Sequence, residues 1–305
     1  MKVQRITLED IAALAGVTKM TVSRYLRTPE KVKPETAERI ASVIEEVGYQ
    51  PDADNPAISS NVAPRIGVLI PSFNNQIFSD VLAGIESVTT AHGYQTLVVN
   101  YDYDSQREEE QIATVLALNV KALLLTESVH TLRAEKYLKA AKIPIAEVMG
   151  LSDNADRINV GFDNYRAGLD MTNMLLASGK KQIIYFGSMS DIRDEQRYAG
   201  YCRAMEEAGL AVGRIAPNKV SSVSIGTGMM TLARQMYKEM DAILCTNAAL
   251  AVGVLQGCIA SGITVPQEMA IAGFHGLEIG QVVSPRLASV LTPRFEMGKV
   301  ATEIL

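Results

Sequence analysis

The sequence lacks several features that mark particular classes of protein. Its 305 residues include no tryptophan, three histidines and three cysteines. The cysteines show no C-x-x-C spacing and none has a histidine close by in sequence, so neither a disulfide framework nor a zinc site is expected. We predict that Cys202, Cys245 and Cys258 are reduced, buried side chains.

Long hydrophobic runs are also missing. No stretch of about 18 apolar residues is present to cross a bilayer, and the N-terminal segment MKVQRITLED has no apolar core of a secretion signal. We therefore expect a cytoplasmic protein with no membrane partner. The composition, 48% hydrophobic and 21% charged, is that of a globular chain, and the length suits two or three domains.

Motifs of the common enzyme classes are absent. The sequence contains no G-x-x-x-x-G-K-[ST], no G-x-S-x-G, no H-E-x-x-H, and no G-x-G-x-x-G after a strand. Its acidic pairs, Glu45–Glu46 and Glu108–Glu110, fall in predicted helices where we expect them to be solvated. We predict neither an enzymatic activity nor a cofactor.

Positive charge is scarce overall but concentrated at one end. The net charge of −5 argues against a protein that coats nucleic acid. Between Met1 and Lys33, however, seven Lys or Arg residues stand against three acidic ones, a local net charge of +4. This end of the chain is therefore the candidate for contact with DNA.

The first fifty residues predict three short helices, of which the first spans residues 7–14. Its apolar residues recur at helical intervals. Thr7 and Asp10 form a capping-box-like pair at its start. Gly16 ends the helix, because glycine accepts a left-handed backbone.

The second and third helices follow directly. Thr18 offers its hydroxyl as the cap of a helix that begins at Lys19. A third helix is predicted from about Pro34, a residue suited to the first helical position, to Val47, and Gly48 ends it.

The rest of the chain predicts a linker and an α/β body. Residues 50–64, rich in Pro, Asp, Asn and Ser, indicate a linker. From Arg65 onward seven apolar strands alternate with amphipathic helices, which predicts parallel sheets flanked by helices. Two loosely similar segments, KALLLTE and DAILCTN, indicate two lobes. We assign residues 1–50 to an all-α head, 51–64 to a hinge and 65–305 to the body.

A ligand crevice in open parallel sheets lies beyond the carboxyl ends of the strands. Residues that directly follow the predicted strands should therefore line the cleft between the two lobes. These are Ser72 to Phe78, Glu127, Asp163, Ser188 to Arg197, Asn247 and His275.

The second helix has two different faces. Val22, Tyr25 and Leu26 share the face that we expect to pack. Lys19, Met20, Ser23 and Arg24 share the other, which is free to touch a partner. A short second helix after a sharp turn is the helix-turn-helix arrangement, which places this face in a DNA major groove. A surface helix with incidental polar groups is the alternative.

Each residue type on this face suits a particular DNA contact. Arg24 or Lys19 could read guanine, and Met20 could touch a thymine methyl group. The hydroxyls are better placed as phosphate donors. They belong to Thr7, Thr18, Thr21 and Ser23.

These residues resemble a known family. The segment ITLEDIAALAGVTKMTVSRYLRTPEKVKPETAERIASVIEEVGYQP is similar to the N-terminal domain of the LacI/GalR family of bacterial repressors, whose A-G-V-[ST]-x-x-T-V-S-R core is highly specific. Body segments such as IGVLIPSFNNQIFSDVLAGIESV and VPQEMAIAGFHGLEIG are similar too. The segments RDEQRYAGYCRAM and AGFHGLEIG further resemble the branch that regulates gluconate and idonate catabolism.

The resemblance implies a partner set and a site. It implies a homodimer with one head on each half-site of a near-palindromic operator in double-stranded DNA, and a periplasmic-binding-protein-like body whose cleft binds a small effector. It also implies DNA contacts from Thr18 to Arg24, with Lys19 and Met20 reading bases. Ile58 stands where the family usually has the leucine that wedges into the minor groove.

Some residues depart from the family pattern. Asp52 and Asp54 would lie near phosphate, and Pro56, Ser59 and Ser60 weaken a hinge helix. We therefore predict a weaker hinge-dependent DNA affinity than that of a typical relative.

The second lobe departs as well. Ala248 and Ala249 follow Asn247 where the family usually carries a polar side chain. The chain also ends in a predicted helix, short of the closing strand of the family, so we expect a truncated or shortened lobe with an exposed sheet edge.

The predicted cleft residues suit a sugar acid. Arg197 matches the family position that reaches the effector, and its planar fork suits a carboxylate. His275 stands where many relatives have Asp, which favours an anionic ligand. The candidates for binding hydroxyls are Ser72, Asn75, Asp163, Asn247 and His275, and those for covering the carbon chain are Phe73, Phe78 and Phe162.

Simpler interpretations of these residues stay open. Arg197 could pair with Asp194 or Glu195 on the surface, and Phe78 and Phe162 could belong to the core. Glu127 would repel an anion unless it accepts hydroxyl protons. His92 and His130 are expected at the surface.

Together these features predict an effector-controlled transcriptional repressor of sugar-acid catabolism. The effector would be an acid such as gluconate or idonate. The alternatives are a sugar-binding module that does not regulate, or a regulator that responds to a neutral sugar.

Overall fold

The computed structural model describes residues 7–47, 49, 63–152, 154–189, 191–217 and 219–305. The chain divides into two compact units, with the boundary between Pro64 and Arg65. Gly48, Asp52, Asp54, Pro56, Ile58, Ser59 and Ser60 lie outside the described residues.

The N-terminal unit is a small helical core. Its elements are α1 (Leu8–Ala15), α2 (Lys19–Arg27), a single 3₁₀ turn (Pro29–Lys31) and α3 (Pro34–Val47). The 3₁₀ turn was not predicted. The three helices pack around a buried apolar group made of Ile11, Ala12, Ala15, Val22 and Ile40.

The predicted ends of α1 and the predicted start of α2 are confirmed. Thr7 Oγ1 accepts a hydrogen bond from the Asp10 amide at 3.3 Å, and an Asp10 carboxylate oxygen accepts one from the Thr7 amide at 2.7 Å. Gly16 adopts φ 65°, a left-handed backbone that glycine tolerates. Thr18 Oγ1 accepts from the Thr21 amide at 3.3 Å and caps α2.

The body contains two parallel sheets of five strands each. The strand order is β2-β1-β3-β4-β5 in the first sheet and β10-β9-β8-β6-β7 in the second. The strands of the first sheet are β1 (Arg65–Ile70), β2 (Gln95–Asn100), β3 (Ala122–Leu125), β4 (Ile145–Val148) and β5 (Ile158–Val160). Those of the second are β6 (Ile183–Phe186), β7 (Arg214–Ile215), β8 (Ala242–Cys245), β9 (Ala270–His275) and β10 (Ala288–Leu291).

Helices cover these sheets. They are α4 (Ile77–Ala91), α5 (Ser105–Ala117), α6 (Leu132–Ala141), α7 (Asn164–Ala177), α8 (Ile192–Glu207), α9 (Val223–Met236), α10 (Ala248–Ala260), α11 (Glu278–Val282) and α12 (Arg294–Ile304). Among the described helices, none is both long and apolar enough to cross a membrane.

Both faces of each sheet are buried. Successive residues of a strand point to opposite faces, so Val68 and Leu69 belong to two different apolar clusters of the first lobe. Ile184 and Tyr185 do the same in the second lobe. This explains why the strands are continuous apolar runs.

The chain passes between the lobes twice within the described residues. It enters the second lobe after β5, where α7 packs on α8 and contacts β8, and it returns after β10, where α12 packs on α4. A Cβ atom added to Gly84 of α4 would lie 2.1 Å from the Phe295 carbonyl oxygen. The close approach of α4 and α12 therefore requires glycine at this position.

All seven predicted strands form, and the short strands β5, β7 and β10 were missed. The expectation of three buried cysteines is wrong for one of them. Cys245 and Cys258 are buried free thiols, whereas Cys202 is only half-buried.

Candidate DNA-binding and effector-binding sites

The two faces of α2 differ in burial. Val22 is fully buried, and Tyr25 and Leu26 pack against the same core. On the other side, the Met20 side chain is 72% exposed, and Arg24 is exposed as well. One face of the helix is thus packed against the core, and the other is exposed to solvent.

Polar contacts on the exposed side are local. Lys19 Nζ lies 2.7 Å from Glu9 Oε1, and both side chains are more than half exposed, so this ion pair is weak and exchangeable. Thr18 and Thr21 share a hydrogen bond between their hydroxyls at 2.9 Å. Arg27 donates to the Ser23 hydroxyl at 2.9 Å.

Among the predicted DNA-binding residues, the side chains of Arg24 and Thr7 differ most in the contacts that they already make within the protein. The Arg24 guanidinium makes no hydrogen bond or ion pair among the described residues, so it is available to a partner. The Thr7 hydroxyl instead donates to the Asp10 carboxylate at 2.7 Å and already serves the helix cap.

The body contains a cavity of about 290 Å³ between the carboxyl ends of the two sheets. The described residues that line it come from both lobes. Those that the sequence predicted are Ser72, Asn75, Phe78, Arg197, Asn247 and His275.

The structure does not bring the other predicted residues to the cavity wall. Phe73 is 61% exposed at the surface. Phe162 packs against the core of the first lobe. Asp163 is exposed and caps α7, where its carboxylate accepts from the Arg166 amide at 2.8 Å. Glu127 lies behind the wall and pairs with Arg193 at 2.8 Å.

Arg197 is buried in the cavity wall, so the alternative of a surface ion pair is wrong. Its Nε donates to Asn164 Oδ1 at 2.8 Å, and its Nη1 donates to the Thr246 carbonyl at 2.7 Å. The guanidinium carbon lies 4.5 Å from the centre of the Phe274 ring. Burial lowers the pKa of Arg197, but arginine stays charged.

The acidic residues proposed as surface partners of Arg197 have another cation. Arg214 Nη2 donates to Asp194 at 2.9 Å and to Glu195 at 2.6 Å. Within the described residues, no carboxylate therefore forms an ion pair with Arg197.

His275 is a buried neutral imidazole beside Arg197. Burial, and then the charge of Arg197, hold its pKa well below the usual range. Its Nε2 accepts from Arg197 Nη1 at 3.4 Å, which places the proton on Nδ1, where it is donated to Thr292 Oγ1 at 3.2 Å. The backbone of His275 adopts φ 80°, a conformation that is strained for any residue other than glycine. The position thus adds no negative charge next to Arg197.

Asn247 has a structural role in the wall. Its Oδ1 caps α10 by accepting from the Leu250 amide at 3.0 Å, and its Nδ2 donates to the Ser221 hydroxyl at 2.8 Å. Ala248 and Ala249 follow it and also line the cavity. They add apolar surface next to the polar side chains of Asn247 and Ser221.

Several lining residues were missed. Tyr103 follows β2, so the rule that found the other cleft residues would have found it as well. Its hydroxyl accepts from Asn75 Nδ2 at 3.0 Å, and Asp102 and Tyr103 both adopt positive φ, 52° and 58°. Arg193 and Asp191 fall inside the predicted range 188–197 but were not singled out. Asp194 falls inside the same range. Lining residues outside the predicted ranges include Met149, Ser221 and Thr246.

The expectation of an exposed His130 is wrong, and so is that of a solvated Glu108. The His130 side chain is fully buried, with Nδ1 3.0 Å from Glu108 Oε2 and Nε2 3.8 Å from Glu147 Oε1. Burial alone would lower the pKa of His130, but the two carboxylates outweigh it and raise the pKa to about 9. His92 is exposed as predicted. Among the described residues, no group of three or more His, Cys, Asp or Glu side chains is placed to hold a metal ion.

A helical head with an exposed helix face, followed by a two-lobed body with a cavity between its sheets, is the arrangement of the transcriptional regulators that a small molecule controls. Family comparisons agree. Residues 7–52 match the bacterial regulatory proteins of the lacI family, and residues 63–305 match the periplasmic binding proteins and sugar binding domain of the LacI family. The chain belongs to the LacI family. It is a transcriptional regulator and not an enzyme, and its partners are operator DNA and a small-molecule effector.

Similar proteins cover the whole chain. The regulator IdnR of Escherichia coli K12 is 47% identical over 306 residues, which is 100% of this chain and 92% of IdnR. The regulator GntR of the same strain is 45% identical, with the same coverage of both chains. A LacI family regulator from Silicibacter pomeroyi superposes with a TM-score of 0.87 at 29% identity, over 98% of this chain and 91% of that one.

Proposed function

We propose that this regulator is a homodimeric repressor of sugar-acid catabolism, acts in the cytoplasm, and responds to an acid such as gluconate or idonate. The exposed face of α2 would enter the major groove, with Lys19, Met20 and Arg24 on base edges. Hydroxyls of Thr7, Thr18, Thr21 and Ser23 would bind phosphate. The wedge role of Ile58 in the minor groove belongs to the same proposal.

One observation carries the ligand assignment. Arg197 lies buried in the cavity wall and forms no ion pair with a carboxylate of the described residues, and His275, which accepts a hydrogen bond from it at 3.4 Å, is neutral. A buried cation that forms no ion pair favours an anionic ligand. Ser72, Asn75 and Asn247 line the same cavity and suit the hydroxyls of a sugar chain.

Further support comes from resemblance. The segments that resemble the gluconate and idonate branch include Arg197 and His275 themselves. We infer the homodimer from the family resemblance as well. The lac repressor, a more distant relative at 20% identity with a TM-score of 0.74, was solved as a dimer bound to operator.

Calorimetry with a panel of five- and six-carbon sugar acids tests this function. We expect gluconate or idonate to bind the wild-type protein. The Arg197→Lys variant should bind about tenfold more weakly or worse, because lysine keeps the charge but lacks the fork that grips a carboxylate. Arg203→Lys is the matched control, since Arg203 lies on the same helix and pairs with Glu207 at the surface. Binding of a neutral sugar or a purine, with no response to any acid, would overturn the ligand assignment.

A further inference from the structure

A second arginine of the cavity wall, Arg193, joins the two lobes. Its buried guanidinium donates from Nε and Nη2 to the two carboxylate oxygens of Asp191, at 2.9 and 2.8 Å, within the second lobe. It also reaches across to the first lobe, where Nη1 donates to the Thr126 carbonyl at 2.9 Å and Nη2 to Glu127 Oε1 at 2.8 Å.

The two carboxylates bind Arg193 unequally. Asp191 makes a bidentate contact, and although burial alone would raise its pKa, Arg193 lowers it. Glu127 contacts Arg193 through one oxygen, Oε1, which also accepts from the Tyr101 hydroxyl at 2.9 Å, and burial raises the pKa of Glu127 despite Arg193. One cation therefore faces two anions, and Glu127 is the weaker and less readily ionised of them. An incoming anion would replace Glu127 more readily than Asp191.

Arg193 and Arg197 can serve one carboxylate together. They are four residues apart on α8, so their side chains leave the helix on the same face, one turn apart. Both line the cavity, whereas Glu127 does not. The two guanidinium groups also lie close enough for the charge of Arg193 to lower the pKa of Arg197. A carboxylate in this part of the cavity has one oxygen for each.

We propose that Arg193 is a second anion-binding residue of the effector site, and that the effector carboxylate replaces Glu127 as its partner. This inference rests on the proposed function, since it needs an acidic effector. The exchange removes an ion pair that joins the lobes. A neutral sugar has no anion to bind Arg193, so the Arg193–Glu127 ion pair stays in place. This exchange of partners allows the regulator to distinguish an acid from a neutral sugar.

The variant Glu127→Gln tests the exchange, because it keeps the size of the side chain and removes the competing charge. We expect gluconate to bind this variant about tenfold more tightly than the wild type, since a like charge near the ligand is lost. Gluconamide, which has the same chain but no charge, should change by less than twofold. Glu195→Gln is the matched control: Glu195 is on α8 and half-exposed, pairs with Arg214 and does not line the cavity. It should leave both affinities unchanged.

A double variant shows whether the gain acts through Arg193. In an Arg193→Met background, adding Glu127→Gln should change gluconate affinity by less than twofold. Acid binding by the wild type with no gain in Glu127→Gln would overturn the exchange alone. An equal gain for gluconamide, or for Glu195→Gln, would overturn it as well. If no sugar acid binds the wild type, the proposed function and this inference fail together.

Discussion

At the scale of single residues, neighbouring charges decide whether a buried histidine is charged. His130 and His275 are both buried histidines, yet the first is held in its charged form and the second in its neutral form. Two glutamates face His130, whereas Arg197 faces His275. Histidine is therefore charged at the first of these positions and neutral at the second.

His130 makes stability depend on pH. Its pKa rises from 6.5 to about 9 on folding, so its contribution is fully present below the unfolded value and is lost as the pH rises through about 9. The contribution is on the order of 3 kcal/mol. We expect His130→Asn to lower the thermal midpoint strongly at pH 6 and far less at pH 10. His92→Asn, which removes an exposed histidine, should leave the midpoint unchanged, and a deficit of His130→Asn that is the same at both pH values would contradict this account.

Residues that follow an apolar strand could be predicted as site residues from the sequence, and Ser72, Asn247 and His275 lie where that rule put them. The partners of Arg197 could not be predicted, because Asn164, Thr246 and Phe274 come from three different elements that only the fold brings together. The same rule was wrong for Asp163, which follows a strand but is exposed at the start of α7, where its carboxylate caps the helix.

At the scale of elements, strong apolar runs were predicted well and short edge strands were missed. The strands β5, β7 and β10 have two to four residues each and lie at sheet edges. With three and two residues, β5 and β7 are too short to show a pattern. The strand β10 has four residues, as many as β3, but none of them is buried, so it is not a buried apolar strand like β3. The helix caps of the N-terminal unit were predicted because capping depends on residues only three positions apart.

The close packing of α4 on α12 gives a prediction at this scale. Gly84→Ala places a methyl group 2.1 Å from a backbone oxygen of α12, so the helices must separate and stability should fall by about 1–3 kcal/mol. Gly228→Ala in α9 is the control, since its Cβ meets no atom within 4 Å. Alanine there should be neutral or stabilising by up to about 1 kcal/mol. Equal thermal midpoints for the two variants would contradict the packing argument.

At the scale of the whole molecule, the chain separates two tasks. An acidic protein of net charge −5 keeps its excess of positive charge at the N-terminal end, and the cavity lies in the body. Ligand binding in the cavity can control DNA binding by the head only if the two are coupled. The coupling free energy is typically about 1–3 kcal/mol, and each ligand changes the affinity for the other by the same factor. We expect the Arg193–Glu127 contact between the lobes to contribute to this coupling free energy.

The central claim is that the exposed face of α2 reads DNA, and fluorescence anisotropy tests it directly. The measurement compares affinity for a palindromic fragment selected from a random pool with affinity for unrelated DNA, at physiological salt. We expect Arg24→Ala to lose about tenfold or more of the wild-type preference, whereas Arg39→Ala, which removes an equal charge from the exposed side of α3, should weaken both affinities alike. An unchanged preference in Arg24→Ala would contradict the account.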